Sequence, residues 1–310
     1  MILEPLPTLN DPEEKPRLPS LIETHCQTGR NDRLFARLWI PATTPIVGCV
    51  IIIHGLGEHS GRYQPVAAQL ARCGWATLIA DLPGHGSSPG RRGHVPSYYR
   101  LLQDIDAMRL TMQHRYAAIP QVLLGHSMGG NLAVNYVLRR TELDPSLGKL
   151  TGLVLSGPMF LPTNPPNRKQ IFAAWLTGLI VPWFTIQSPV DTAKLSNNSE
   201  TVKLIREDPL MHGRISLYLA TQLLAQGRFA LDHAADVDVP TLLLHGEDDP
   251  ITSYRASESF AIRAGDRVEF RSFPSMLHEI FHETNSEVVF QTLCQWLGRV
   301  LARKAEVQES

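Results

Sequence analysis

The sequence predicts an α/β fold: a mostly parallel central sheet with helices on both faces, an N-terminal antiparallel hairpin and an inserted helical cap. Three observations carry this. Six short apolar runs (VGCVIII at 47–53, WATLIA at 75–80, QVLLG at 121–125, TGLVL at 151–155, PTLLLH at 240–245 and RVEFRSF at 267–273) have the length and composition of strands buried on both faces. Helical segments separate most of them, and strands alternating with helices build a mostly parallel sheet covered on two sides. Between Ser156 and Asp238 the alternation stops, with no convincing core strand, and it resumes directly afterwards.

The elements follow in order. Residues 1–20 are acidic and proline-rich and read as a loose arm, without the basic start and apolar run of a signal peptide. LIETHCQ and RLFARLWI flank the turn-like GRND and form an opening β-hairpin. A first helix starts at Pro65, a good first helical position, and stops at Gly74. Leu101, Ile105, Met108, Met112 and Tyr116 mark one face of a second. PMFLPTNPPN leaves the sheet, IFAAWLTGLIVPWF is strongly apolar, and ISLYLATQLL reads as a helix. We read 158–235 as the cap, inserted between core segments 21–157 and 236–302. The last helix is expected from about Thr284, with Glu287 completing a capping box, through Leu301. A short tail at 303–310 follows.

Composition narrows the function. With 43% hydrophobic and 19% charged residues the 310-residue chain has material for a sizeable core. Twenty-nine basic against 30 acidic residues leave a net charge of -1, no footprint for nucleic acid or an anionic membrane. No run approaches a bilayer span, so the expected setting is cytoplasmic. Cys26, Cys49, Cys73 and Cys294 lie far apart, without zinc spacing, and read as buried apolar fillers. No metal motif, nucleotide loop or glycosidase carboxylate pair is found, so neither metal nor cofactor is expected.

The chemistry concentrates in GHSMGG at 125–130. It follows a predicted strand and precedes the helix-like NLAVNYVLRR, the context of a nucleophile elbow. The flanking glycines permit a sharp turn that lifts the Ser127 hydroxyl clear of the sheet. The Met128 N–H, at the helix start, then faces a developing oxyanion. Such a serine needs a base and an orienting acid, in the chain order Ser, acid, His. GEDDPIT offers Asp248 and Asp249 beyond one strand, and PSMLHEIFHE offers His278 and His282 beyond the next. Only one aspartate of an adjacent pair can reach the imidazole, and the residues alone leave both choices open. Leu56, in the His54-Gly55-Leu56 exit from the third strand, is the expected second oxyanion donor. DLPGHGSSPG, with Asp81 and His85, reads as a structural loop at the same end of the sheet.

HGLGEHSGRY, DLPGHGSS, GHSMGG, the GEDD loop and SMLHE together resemble the monoacylglycerol lipase and lysophospholipase family of α/β-hydrolases. The likeness runs from about Leu21 to Leu301 and includes the cap segment LSNNSETVKLIREDPLM. It implies the α/β-hydrolase fold, with Ser127 as nucleophile, Asp249 as acid, His278 as base, and Leu56 and Met128 as oxyanion donors. Where mammalian monoacylglycerol lipases carry cysteines near the site, this chain has Thr252 and His212.

Two readings of the cap stay open. Phe172, Trp175, Leu176, Leu179, Ile180, Trp183 and Phe184 either pack on the cap's own helices or line an acyl-chain tunnel with an exposed rim for membranes or micelles. The expected activity is cofactor-free hydrolysis of a single-chain lipid ester. The runners-up are a small-ester esterase, or an aminopeptidase using Glu200, Glu207 or Asp208 to hold a free amine. A non-catalytic receptor on the same fold is the reading from a different class.

Overall fold

Ser20–Gln27 (β1) and Arg33–Ile40 (β2) pair antiparallel, with Cys26 opposite Leu34 and Ile22 opposite Leu38. The computed structural model describes residues 19–309 apart from 30–31, 43–45, 118, 144–146 and 189. The arm expected at 1–18 and the tip of the hairpin lie outside the described residues.

The sheet continues through Gly48–Ile53 (β3), Trp75–Ala80 (β4), Gln121–His126 (β5) and Gly152–Ser156 (β6). After two short strands of the long excursion, Thr185–Gln187 (β7) and Arg214–Ser216 (β8), it ends with Thr241–Gly246 (β9) and Val268–Phe273 (β10). Its order is β1-β2-β4-β3-β5-β6-β9-β10, parallel from β4 to β10, while β7 and β8 pair only with each other. The chain leaves β3 for β4 on one side and returns to β5 on the other. The resulting crevice lies at the C-terminal ends of β3 and β5, where open α/β sheets gather their ligands.

Strand alternation supplies two cores. Cys49, Ile51 and Ile53 point toward Tyr98–Arg115 (α2) and Met128–Arg139 (α3), while Val50 and Ile52 point toward Gln64–Arg72 (α1) and Glu287–Glu309 (α8). Every β3 residue is fully buried, and each such isoleucine contributes roughly 1.5–3 kcal/mol. Leu217–Asp232 (α6) and Tyr254–Ala264 (α7) join the α2/α3 layer through Leu219, Leu223 and Phe260.

Three expectations need correction. The last helix starts at Glu287, where the Ser286 carbonyl accepts the N–H groups of Val289 and Phe290, so Thr284 is not its cap. It also continues through the expected tail to Glu309. The β10 strand is half-buried, because it is the sheet's edge. Cys73 and Cys294 are joined by a disulfide from the end of α1 to α8, their Cα atoms 6.4 Å apart, whereas Cys26 and Cys49 are buried thiols. Among the described residues no helix is long and apolar enough to cross a membrane.

The excursion between β6 and β9 carries Arg168–Ile180 (α4) and Ser199–Glu207 (α5) as well as α6. A reciprocal Asn167–Gln170 capping box opens α4, and Gly178 lets it close on Tyr218 of α6. Backbone bonds tie the excursion to loops at the strand ends: His212 N to Gly57 O at 3.1 Å, Glu279 N to Leu195 O at 2.8 Å, and Ser253 N to Leu161 O at 2.9 Å.

Candidate active site

Ser127 stands between β5 and α3 with φ 54° and ψ -116°, left-handed backbone that a non-glycine residue adopts only when its surroundings enforce it. The enforcement is visible. A Cβ at Gly129 would lie 1.9 Å from the Ile53 carbonyl oxygen, and one at Gly125 would lie 2.3 Å from the Gly129 oxygen. Only glycines let the turn close this tightly. The Ser127 carbonyl accepts from Asn131 N and Met159 N, its N–H donates to Ser156 O, and the residue remains partly exposed. Met128 opens α3, so its N–H has no intrahelical acceptor and carries the positive end of the helix dipole.

The β3 exit comes close, since a Cβ at Gly55 would sit 3.3 Å from Ser127 Cβ. Its shape is fixed from inside. Gly55 N–H donates to Glu58 Oε2 at 2.7 Å, and His54 Nδ1–H donates to the Gly55 carbonyl at 2.8 Å. His54 Nε2 accepts from Leu82 N at 2.9 Å, and burial keeps this imidazole below its ordinary pKa. The neighbouring Asp81 accepts from Ser60 N and Ser87 N, the bracing role expected for its loop.

Asp249 and His278 meet beyond β9 and β10. His278 Nδ1 is 2.7 Å from Asp249 Oδ2, and both side chains are buried. Asp248 is exposed and makes no such approach. Burial alone would push His278 down, but the Asp249 carboxylate overcomes it and holds the imidazole above its ordinary value. Burial likewise opposes ionisation of Asp249, yet His278 and His245 hold its carboxyl well below the usual range. His126 lies against His278, ring centres 4.7 Å apart, and burial lowers it to about 4. Thr252 donates to Asp249 Oδ2 at 2.6 Å.

Charged residues absent from the sequence-based site surround this core. Arg62 bonds both oxygens of Glu279, at 2.9 and 2.6 Å, and also Glu58. Tyr63 donates to Glu58 at 2.7 Å. His282 is no surface residue, because its Nδ1 approaches Glu279 at 3.3 Å and its Nε2 the Arg62 carbonyl at 3.1 Å. Their signal lay inside the quoted motifs, where HGLGEHSGRY and SMLHE place charges in otherwise small or apolar loops.

The apolar segment that runs from α4 into the turn after it is largely exposed. Phe172, Trp175, Leu176, Leu179, Ile180, Trp183 and Phe184 are between 44% and 67% exposed. The reading that made them the cap's own core is therefore overturned. Asp208 is taken up by His59 Nε2 at 2.7 Å, while Glu200 and Glu207 are exposed. Among the described residues no cluster of His, Cys, Asp or Glu is arranged to hold a metal ion.

An eight-stranded, mostly parallel sheet with a strained serine at the central strand-to-helix turn defines an α/β-hydrolase. The family model described as serine aminopeptidase, S33, matches residues 44–285. A monoacylglycerol lipase of Mycolicibacterium smegmatis is 28% identical over 267 residues, 86% of this chain and 92% of that one. The crystal structure of Paleococcus ferrophilus monoacylglycerol lipase superposes with a TM-score of 0.77 at 30% identity, covering 87% of this chain and 98% of that one. An abhydrolase domain-containing protein of Dictyostelium discoideum is 33% identical over 272 residues, and the chain spans 28% of its length. The chain belongs to the serine aminopeptidase S33 family of α/β-hydrolases, on its monoacylglycerol lipase branch.

Proposed function

We propose that the chain hydrolyses carboxylic esters of single-chain lipids, monoacylglycerols foremost, through an acyl-enzyme on Ser127. The observation that carries this is the strained Ser127 at the start of α3, on a chain whose relatives include monoacylglycerol lipases. Ser127 Oγ attacks the ester carbonyl carbon while His278 Nε2 takes its proton, and Asp249 stabilises the imidazolium. The N–H groups of Leu56 and Met128 bond the oxyanion. Collapse breaks the ester bond, and the proton on Nε2 passes to the departing alcohol oxygen. Water, giving a proton to His278, then attacks the acyl-enzyme, and the fatty acid and free Ser127 are regenerated. Residues 158–235 act as a cap, and the side chains from Phe172 on α4 to Phe184 in the turn after it form an apolar rim for the acyl chain and a lipid surface.

Against the aminopeptidase reading stands Asp208, whose carboxylate is already engaged by His59.

The test is hydrolysis of monoacylglycerols from short to long acyl chains, with lysophosphatidylcholine and an aminoacyl amide alongside and Ser127→Ala as control. A kcat/KM that rises with chain length, strongest on monoacylglycerol and abolished in Ser127→Ala, is expected. Preference for the amide, or activity surviving in the pure variant, overturns the reading.

A further inference from the structure

His245 is the penultimate residue of β9, four before Asp249, and its ring is fully buried. Nε2 lies 3.1 Å from Asp249 Oδ2 and 3.2 Å from the Thr252 carbonyl oxygen. A carboxylate and a carbonyl only accept, so the ring hydrogen sits on Nε2. Nδ1 then presents a lone pair, and Ser257 Oγ, 2.8 Å away on α7, donates to it. Tyr254 packs edge-on against the same ring, centres 5.9 Å apart.

The donors to Asp249 divide unevenly. Oδ1 accepts the backbone N–H groups of Ile251 and Thr252, at 2.8 and 3.0 Å. Oδ2, the oxygen that meets His278, is also approached by the Thr252 hydroxyl and by His245. A carboxylate held from both ends cannot rotate about its own axis.

We propose that His245 is a positioning residue for the acid: its Nε2–H, oriented by Ser257, fixes Asp249 Oδ2 so that the carboxylate stays aimed at His278 Nδ1. This rests on the assignment of Ser127, Asp249 and His278 made above. A misaimed carboxylate leaves the imidazole free to turn, and small displacements of this kind cost turnover rather than binding. Removing the donor also concentrates negative charge on Oδ2, which favours the imidazolium. The other titratable groups acting on His278 are Glu279, Glu58 and His126, none of them altered by changes at His245 or Ser257, and the Thr252 hydroxyl stands 3.3 Å from its Nδ1.

The experiment compares His245→Leu, His245→Gln and Ser257→Ala with wild type, using p-nitrophenyl butyrate as probe across pH 5–9, with melting curves alongside. His245→Leu is expected to lose roughly tenfold in kcat with KM unchanged, and the acid limb of kcat/KM to move up by about half a pH unit. His245→Gln, whose amide N–H can reach the carboxylate, recovers most of both. Ser257→Ala frees the ring's tautomer, gives a smaller change of the same sign, and decides the matter if His245→Leu does not fold. Wild-type kcat and limb in both His245→Gln and Ser257→Ala, with no loss in a folded His245→Leu, overturn the proposal. So does a drop in melting temperature with the limb unmoved. Asp249→Asn in the same assay separates the two ideas. Its inactivity keeps the underlying assignment whatever His245 does, and its full activity removes that assignment.

Discussion

The guanidinium of Arg62 grips both carboxylate oxygens of Glu279, the residue that follows His278, while its other contact is to Glu58 beneath Gly55. One buried cation thus fastens the loop after β3 to the loop after β10. The two sides are 217 residues apart in sequence, and the same junction is closed by His282 Nε2, 3.1 Å from the Arg62 carbonyl oxygen. Glu58 and Glu279 are 4% and 2% exposed, so neither carboxylate has bulk water to replace the arginine.

Arg62→Ala leaves two buried carboxylates uncompensated and is expected to cost roughly 3–5 kcal/mol in denaturant unfolding. Burial opposes ionisation of Glu58, but Arg62 wins and lowers it to about 2, and Glu279 is likewise held well below the ordinary value. Groups depressed in the folded state stabilise above the unfolded pKa and lose that stability as pH falls. Wild-type stability should therefore decline from about pH 4.5 toward pH 2, and Arg62→Ala should flatten that decline. An unchanged acid titration in the variant contradicts this.

On the mechanism proposed above, proton acceptance requires neutral His278, which Asp249 holds above the ordinary histidine value against burial. The kcat/KM profile for a soluble ester should rise with pH through an apparent pKa above about 6.5. A plateau already reached at pH 6 would show that another group limits the reaction.

Asp104, on the buried side of α2, is 1% exposed with Oδ2 unpartnered. Burial pushes it up to about 7, against the pull of Arg100 and with a push from Asp32. A raised carboxyl stabilises only while protonated, so its contribution fades from its unfolded value near pH 4 up to about pH 7. Asp104→Asn should be more stable than wild type at pH 8, by roughly 2–4 kcal/mol, with little difference at pH 4. Equal melting temperatures of the two proteins at pH 8 would count against this.

The exposed rim of α4 gives a separable test. Trp175→Ser with Leu179→Ser removes two half-exposed apolar side chains, worth together roughly 3 kcal/mol if both enter lipid, on the order of 100-fold in vesicle binding. Sedimentation with phosphatidylcholine vesicles measures it, and activity on a short soluble ester should stay within about twofold of wild type. Unchanged sedimentation would mean the rim faces something other than lipid.

Burial on both faces made the inner strands legible, because such a strand must be apolar throughout. The β10 run, expected to be buried on both faces, is a half-buried edge, and the alternation of Glu269 and Arg271 with apolar residues is its mark in the sequence. The elbow could be read because Gly125 and Gly129 have nowhere to put a side chain. The residues alone left Asp248 and Asp249 open and the family resemblance pointed to Asp249, which the fold sets against His278 with Asp248 in solvent. What stayed hidden depends on pairs distant along the chain: Arg62 with Glu279, His245 with Ser257 on the next helix, Cys73 with Cys294. The start of α8 differs from the Thr284 expectation because Ser286 is the residue whose carbonyl accepts the first helical N–H groups, from Val289 and Phe290. The rim of α4 could not be settled either, since an apolar helix has the same composition whether it faces protein or lipid.

The Cys73–Cys294 bond closes a covalent ring that contains Ser127, Asp249 and His278 but leaves the Gly55–Leu56 loop on the strand leading into it. A protease that cuts once within the ring, for instance beside the exposed α4, therefore releases no fragment. The nicked molecule keeps its mass until a reductant parts the two pieces. Gels run without thiol would score it as intact, and the same digest with thiol would show where the chain was opened.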